Sequence, residues 1–296
     1  MSDSIRRDRL ASRRRRSCVI MSAAFKLAGL EEHPQPTLVQ VRGTLIGGDN
    51  PALIAGPCSV ESREQIQTIA RAVKAAGGNV LRGGAFKPRT SPYGFQGLGL
   101  AGLEYLAEAG AGVALPVVTE VLEPGMVRIV ADHADILQVG SRNMANTALL
   151  KAVGRSERPV LLKRGMAATV EEWLLAAEYI LAEGNRQVIL CERGVRSFEP
   201  RLRNLLDPAV VPLLRTLTHL PVVVDPSHAV GRRDLVIPAA CAAVAAGADG
   251  VMVEAHSNPD QSLTDAAQAI SLAQLEELAH KMRSLRLALH SGSLAS

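Results

Sequence analysis

Aromatic residues and cysteines are scarce in this 296-residue sequence. Phe, Trp and Tyr make up 3% of the chain, and its four cysteines are widely spaced with no CxxC pair. Few rings argue against a nucleic-acid surface built on base stacking, and the cysteine spacing argues against a disulfide scaffold. No apolar run reaches the ~18 residues of a membrane span, and no secretory signal is present. We therefore expect a soluble, cytoplasmic protein.

Positive charge is concentrated at the amino terminus. The formal net charge of the chain is +4, but residues 1–16 contain seven arginines and only two aspartates. The remainder of the chain is therefore close to neutral, and the basic isoelectric point says little about its ligands. A run of like charges without apolar periodicity predicts a disordered basic tail and linker over residues 1–33.

Eight short apolar runs alternate with helical stretches from residue 52 onward. The predicted strands are Ala52–Ala55, Asn79–Leu81, Leu115–Thr119, Ile136–Val139, Pro159–Leu162, Gln187–Leu190, Pro221–Val224 and Gly250–Val253. Continuous apolar strands between helices are typical of parallel strands buried on both faces. Eight such units predict a (β/α)8 TIM barrel within residues 34–290. The alternative is an open doubly wound sheet, but no GxGxxG follows the first strand.

A β-hairpin is predicted ahead of the barrel. Thr37–Val41 and Thr44–Ile46 flank an Arg-Gly pair, and a Gly-Gly-Asp-Asn turn follows. We expect this hairpin to close the bottom of the barrel.

Cationic residues follow several of the predicted strands. In a TIM barrel the active site lies at the carboxyl ends of the strands. The cations found there are Arg82, Lys87, Arg89, Arg142, Lys163, Arg164 and Arg193. Arginine binds phosphate and carboxylate bidentately, and lysine adds a point charge. The set predicts a cleft for more than one anionic group; scattered surface salt bridges are the alternative.

A second set of strand-end residues could bind a metal. Cys58, His228, Glu254 and Asp265 follow the first, seventh and eighth strands, which are neighbours in a closed barrel. A thiolate, an imidazole and two carboxylates suit a divalent transition metal. Each residue also has a simpler interpretation: Cys58 as a buried apolar residue, His228 as a hydrogen-bonding loop residue and Asp265 as a helix cap.

Several longer segments carry a family resemblance. Ile54–Ser62 reads IAGPCSVES, Arg82–Tyr93 reads RGGAFKPRTSPY and Val224–His228 reads VDPSH, with GSRNM at 140–144 and CERG at 191–194 in agreement. These segments resemble the 3-deoxy-7-phosphoheptulonate synthases of type I beta, and the resemblance spans about residues 26–287. It implies a TIM-barrel transferase that condenses phosphoenolpyruvate with erythrose 4-phosphate, the first step of the shikimate pathway of aromatic amino acid biosynthesis.

The resemblance also implies roles for individual residues. The metal, which would be Mn, Fe, Co or Zn, is matched to Cys58, His228, Glu254 and Asp265. Phosphoenolpyruvate is matched to Arg142 and Arg193 at its phosphate and to Arg82, Lys87 and Lys163 near its carboxylate. Ser141 and Arg164 are further expected substrate-binding residues. The aldose phosphate is matched to Arg89 and Thr90. Lys87, Lys163, Cys58 and His228 are the expected catalytic residues; for Lys163, a general acid and an electrostatic anchor remain equally open.

Three departures from the family pattern and three rival functions remain. Ala145, Ala255 and Ala266 stand where the pattern has other residues, so substrate preference stays open. The nearest rival is 3-deoxy-8-phosphooctulonate synthase, which uses arabinose 5-phosphate, but its family has a Lys-Ala-Asn-Arg-Ser segment where this chain reads Lys-Pro-Arg-Thr. The others are a Schiff-base aldolase using Lys163 and a non-catalytic binding barrel.

The resemblance bears on partners as well. We expect a homo-oligomer, either a dimer or a tetramer, and no nucleic-acid or membrane partner. Too few residues precede the hairpin for a folded regulatory domain. Any feedback control is therefore expected to come from a partner chain such as a separate chorismate mutase.

Overall fold

Eight parallel strands close into a barrel in a computed structural model that describes residues 24–89 and 91–291. After the hairpin strands β1 (Val39–Val41) and β2 (Thr44–Ile46), the barrel strands are β3 (Ala52–Gly56), β4 (Val80–Arg82), β5 (Val117–Glu120), β6 (Ile136–Val139), β7 (Val160–Lys163), β8 (Val188–Glu192), β9 (Val222–Val224) and β10 (Gly250–His256). Strand β10 pairs with both β9 and β3, which closes the barrel. The predicted fold is confirmed.

Helices surround the barrel and return the chain from each strand to the next. They are α1 (Arg63–Ala75), α2 (Leu100–Gly112), α3 (Val127–His133), α4 (Thr147–Gly154), α5 (Val170–Ala182), α6 (Val210–Arg215), α7 (Pro226–Val230), α8 (Arg233–Ala245) and α9 (Leu272–Ser291), and a short strand β11 (Ile270–Ser271) lies beside β10. Local sequence accounts for their starts: α5 has a full capping box between Thr169 and Glu172. None of the described helices is long and apolar enough to cross a membrane.

The interior of the barrel is apolar and is covered at one end by the hairpin. One buried cluster joins the hairpin to inward-facing residues of the strands: Val39, Val41, Ile46, Ala52, Ile54, Val80, Val118, Ile136, Leu161, Ile189, Cys191, Val223 and Met252. A larger cluster fills the layer between strands and helices. Successive strand residues face opposite sides, so strands that are buried on both faces read as continuous apolar runs. Because the hairpin packs on inward-facing residues of the strands, it closes the end of the barrel at which the strands begin.

The segment before the hairpin packs on the barrel. Phe25 and Ala28 are buried. The Glu178 carboxylate on α5 accepts the backbone N–H groups of Lys26, Leu27 and Ala28 at 3.0, 2.7 and 2.9 Å. The prediction of disorder through residue 33 is thus wrong for residues 24–33, because two apolar side chains and one carboxylate suffice to order a segment without periodicity. The remainder of the predicted tail, residues 1–23, lies outside the described residues.

Candidate active site

A polar cleft of about 350 Å³ opens at the carboxyl ends of the barrel strands. Its lining includes seven predicted binding residues, namely Arg82, Lys87, Arg89, Ser141, Arg142, Lys163 and Arg193. Arg82, Lys163 and Arg193 are nevertheless buried. Buried cations that face one cleft favour anionic groups there, because desolvation strengthens their attraction for an opposite charge. The convergence argues against scattered surface salt bridges.

Four potential metal ligands converge at one side of this cleft. Ligand atoms of Cys58, Glu254 and Asp265 lie within 4.8 Å of one another. The Nε2 atom of His228 lies 3.3 Å from Glu254 Oε1 and 3.9 Å from Asp265 Oδ2, and Cys58 Sγ lies 3.4 Å from the same Asp265 oxygen. One sulfur, one nitrogen and two carboxylates form a donor set that fits a divalent transition metal.

Asp225 fixes the orientation of His228. It follows β9 and caps α7, and its Oδ1 accepts the His228 backbone N–H at 3.0 Å. Its Oδ2 accepts from His228 Nδ1 at 2.7 Å and also from Lys163 Nζ. The ring therefore presents Nε2 to the other ligands, as metal-binding histidines do. Burial opposes ionisation of Asp225, but His228 and Lys163 outweigh it and hold the pKa of this carboxyl well below its usual value.

Basic side chains contact the other ligands. The Lys87 ammonium lies 3.0 Å from Cys58 Sγ and 2.9 Å from the Cys58 carbonyl oxygen. Arg82 Nη1 lies 2.8 Å from Glu254 Oε1. Burial, reinforced by Glu254, raises the pKa of the Cys58 thiol to about 12, although Lys87 opposes the shift. A metal that binds here must displace the thiol proton.

The structure does not bring every predicted residue to the cleft. Arg164 is absent from its lining; instead its Nη1 pairs with Glu192 Oε2 at 2.9 Å, with both side chains buried. The sequence prediction placed Arg164 beside Lys163 in the cleft, but consecutive residues of an extended chain face opposite sides. Lys163 points inward and Arg164 lies near the Trp173 ring. Thr90 lies outside the described residues.

Several lining residues were missed by the sequence analysis, among them Gln138, Met166 and Arg203. Gln138 could have been found, because it is the one polar residue in the apolar strand β6 and a buried polar residue needs a partner. Arg203 and Met166 lie in loops beyond their strands, at positions that strand-end reasoning does not reach.

Fold and site together define a class: a (β/α)8-barrel enzyme with a cation-lined cleft for anionic substrates, next to a Cys-His-Glu-Asp cluster. Comparison with known proteins narrows this class. The chain belongs to the DAHP synthetase I family, whose model matches residues 30–291.

Individual relatives agree with this assignment. A phospho-2-dehydro-3-deoxyheptonate aldolase of Thermotoga maritima is 49% identical over 273 residues, covering 92% of this chain and 81% of the relative. A crystal structure of that enzyme from Thermotoga maritima superposes with a TM-score of 0.89 at 49% identity, covering 91% of this chain and 79% of the other. More distantly, a 2-dehydro-3-deoxyphosphooctonate aldolase of Syntrophobacter fumaroxidans is 32% identical, covering 82% of this chain and 90% of the relative.

A truncated 3-deoxy-D-arabino-heptulosonate 7-phosphate synthase from Thermotoga maritima provides a second structural comparison. It has a TM-score of 0.84 at 46% identity and covers 90% of this chain and 97% of the other. The near-complete coverage on both sides means that this chain and the truncated enzyme share the same barrel.

Proposed function

We propose that this chain condenses phosphoenolpyruvate with D-erythrose 4-phosphate to give 3-deoxy-D-arabino-heptulosonate 7-phosphate and inorganic phosphate. One observation carries the proposal: seven cation or hydroxyl side chains line a cleft next to the Cys58, His228, Glu254 and Asp265 cluster, in a chain of this family. Two phosphorylated substrates need several cationic partners, and an aldehyde carbonyl needs an electrophilic activator. The cleft and the cluster supply these in one place.

Five cations of the cleft would hold phosphoenolpyruvate. Arg142 and Arg193 contact its phosphate, and Arg82, Lys87 and Lys163 surround its carboxylate. Lys163 is ion-paired with Asp225, so its ammonium is fixed in position before substrate arrives. Such preorganised charge aligns the enol carbon for attack without a reorganisation cost during the reaction.

Cys58, His228, Glu254 and Asp265 would hold the divalent metal, whether Mn, Fe, Co or Zn. When bound, a metal of this kind polarises an aldehyde carbonyl as a Lewis acid. Residues around the cluster already orient and neutralise its members: Asp225 orients the His228 ring, and Arg82 pairs with Glu254. Burial lowers the pKa of His228, although Asp225 and Glu254 oppose the shift, which favours the neutral imidazole that metals bind.

The aldose phosphate would occupy the rim, where Arg89 is exposed and Thr90 follows it in sequence. The enol carbon of phosphoenolpyruvate then bonds to the aldehyde carbon, and the aldehyde oxygen takes up a proton. Water adds to the carbon that bears the phosphate group. The bond between that carbon and the phosphate oxygen then breaks, which releases inorganic phosphate. Lys163 and Lys87 stabilise the negative charge of the carboxylate throughout these steps.

A substrate comparison tests the proposal. Purified protein should consume phosphoenolpyruvate with erythrose 4-phosphate far faster than with arabinose 5-phosphate, and a chelator should stop the reaction until metal is restored. The second aldose is the necessary comparison because the phosphooctonate aldolases are also relatives, at 32% identity. A preference for arabinose 5-phosphate would assign the octulosonate reaction instead. Turnover that continues after exhaustive chelation would support a Schiff-base aldolase. Absence of turnover with either aldose, even with metal added, would support a non-catalytic binding barrel.

Cellular context follows from the same proposal. The activity belongs to aromatic amino acid biosynthesis, which we place in the cytoplasm and assign to a homo-oligomer of two or four chains. Analytical ultracentrifugation would give the number of chains. Titration with a separate chorismate mutase, read out as inhibition by aromatic amino acids, would test control by a partner.

A further inference from the structure

Both carboxylates of the ligand cluster are divided between two sets of contacts. Asp265 directs Oδ2 toward Cys58 and His228, while its Oδ1 lies 3.2 Å from Arg203 Nη1. Glu254 directs Oε1 toward His228, while its Oε2 accepts from Gln268 Nε2 at 2.7 Å. In each case one oxygen faces the cluster and the other is held from outside it.

The two outer contacts belong to one connected unit. Arg203 Nη1 donates to Gln268 Oε1 at 2.7 Å, in addition to its pairing with Asp265. The Gln268 side chain is thereby oriented with its amide nitrogen toward Glu254. Gln268 is buried, and Glu254 is fully buried, so solvent cannot replace the bond between these two side chains. The Arg203 guanidinium therefore holds the outer oxygen of both carboxylates, directly for Asp265 and through Gln268 for Glu254. Arg82 contacts the inner oxygen of Glu254 at 2.8 Å.

The backbone around Arg203 is also bonded to the helix that carries His228. Arg203 N–H donates to the Val230 carbonyl at 3.2 Å, and Asn204 N–H donates to the Ala229 carbonyl at 2.8 Å. The Asn204 side chain donates to the His228 carbonyl at 3.0 Å. The loop after β8 thus connects three ligand-bearing elements: helix α7, strand β10 and the loop of Asp265.

Gly231 makes room for this arrangement. It follows α7 with a φ of +69°, and a Cβ built on it would lie 2.5 Å from Arg203 Cβ. The position therefore needs glycine both for its backbone conformation and for the close approach of Arg203. Asp265 itself has a φ of +51°, in the left-handed region that aspartate adopts more readily than most residues with a side chain.

We propose that Arg203 is a positioning residue for the metal site, acting through Asp265 and Gln268. It holds the outer oxygen of each carboxylate, so that the other oxygen faces the metal. This inference rests on the proposed function, since it takes the four-residue cluster as the metal site. Arg203 also lines the cleft and its side chain is 38% exposed, so the competing role is direct contact with a substrate anion. The two roles predict different effects on metal affinity and on KM.

Mn²⁺ affinity, measured by competition with a chromophoric chelator, separates these roles. Arg203→Met should weaken Mn²⁺ binding roughly 10- to 100-fold, the usual effect of losing an outer partner of a metal ligand. At saturating Mn²⁺ the KM values of both substrates should be unchanged. Gln268→Met should weaken Mn²⁺ binding without touching the cleft, and Arg203→Lys should recover part of the loss because it keeps a charged donor.

The same Mn²⁺ titration, applied to a control variant, shows which results would contradict the inference. Arg201→Met removes the same charge from an exposed position of the same loop and should leave Mn²⁺ affinity unchanged. Unchanged Mn²⁺ affinity in both Arg203→Met and Gln268→Met would overturn the inference while leaving the proposed function intact. A raised substrate KM with unchanged Mn²⁺ affinity would make Arg203 a substrate anchor instead. A wild-type protein that binds no Mn²⁺, Fe²⁺, Co²⁺ or Zn²⁺ would refute the proposed metal site itself.

Discussion

Replacing Arg164 by methionine tests the contrast between its sequence position and its contacts. Its neighbour Lys163 lines the cleft, whereas Arg164 pairs with Glu192 at 2.9 Å. The side chains of Arg164 and Glu192 are 8% and 0% exposed. The Glu192 Oε1 atom accepts the Gly194 N–H at 2.6 Å. We therefore expect the substitution to affect stability and to leave the KM of phosphoenolpyruvate unchanged.

The expected loss is large because a buried carboxylate would keep its charge without its partner. Breaking a buried pair from one side typically costs about 3–5 kcal/mol, although the intact pair itself contributes little. Burial raises the pKa of Glu192 even with Arg164 beside it, so burial opposes the ionisation of Glu192 in the wild type as well. The double variant Arg164→Met/Glu192→Gln removes both charges and keeps an acceptor for Gly194. It should recover most of the loss.

The pH dependence of the free energy of unfolding provides a second test of the Arg164–Glu192 pair. Because the folded-state pKa of Glu192 lies above its usual 4.5, the stability linked to its protonation is full below that value and is lost as pH rises. Without Arg164 this loss is greater, so the deficit of Arg164→Met relative to wild type should grow as the pH rises above 4.5. Urea denaturation at several pH values, with a double-mutant cycle, measures it. A variant with unchanged stability and a raised KM would refute the reasoning and return Arg164 to the substrate site.

Three further predictions follow from the site and from the amino-terminal segment. Cys58→Ala should lose metal binding and turnover while keeping its circular dichroism spectrum, and full activity after exhaustive chelation would contradict the metal assignment. Arg89→Ala should raise the KM of the aldose phosphate about 10- to 150-fold, the effect of losing a charge-assisted contact, with little change for phosphoenolpyruvate in steady-state assays. A chain starting at Met21 should melt like the full chain, whereas one starting at Pro34 should lose about 1.5–3 kcal/mol with the burial of Phe25; equal melting temperatures would contradict this.

The barrel was predictable because its strands are buried on both faces. Runs such as that at Ile136–Val139 contain hardly any polar residue, and most are followed within a few residues by a charged or polar side chain at the cleft. The predicted strand β6 matches the observed bounds, and the others differ by a few residues at their ends. Such differences arise where pairing, rather than composition, decides the last residue of a strand.

The parts that escaped prediction depend on contacts between distant segments. The direction of Arg164 is set by Glu192, 28 residues away, and the order of residues 24–33 by Glu178 on α5. Helix α7 is only five residues long, too short for a periodic pattern. The strand-end pattern predicted most of the cations and ligands of the cleft. It did not predict Arg203, because the conformation of the loop after β8 brings this residue to the cleft.

Asp225 connects the two halves of the site through a single atom. Its Oδ2 accepts from both Lys163 and His228 Nδ1, so the cation that would meet a substrate carboxylate and the imidazole that would meet a metal compete for one acceptor. An anion that attracts the Lys163 ammonium weakens its bond to Asp225 Oδ2. The bond from His228 Nδ1 to the same oxygen then becomes stronger, which makes Nε2 of the imidazole a stronger metal ligand. Binding free energies are reciprocal. Metal and phosphoenolpyruvate would therefore each raise the affinity of the protein for the other by the same factor.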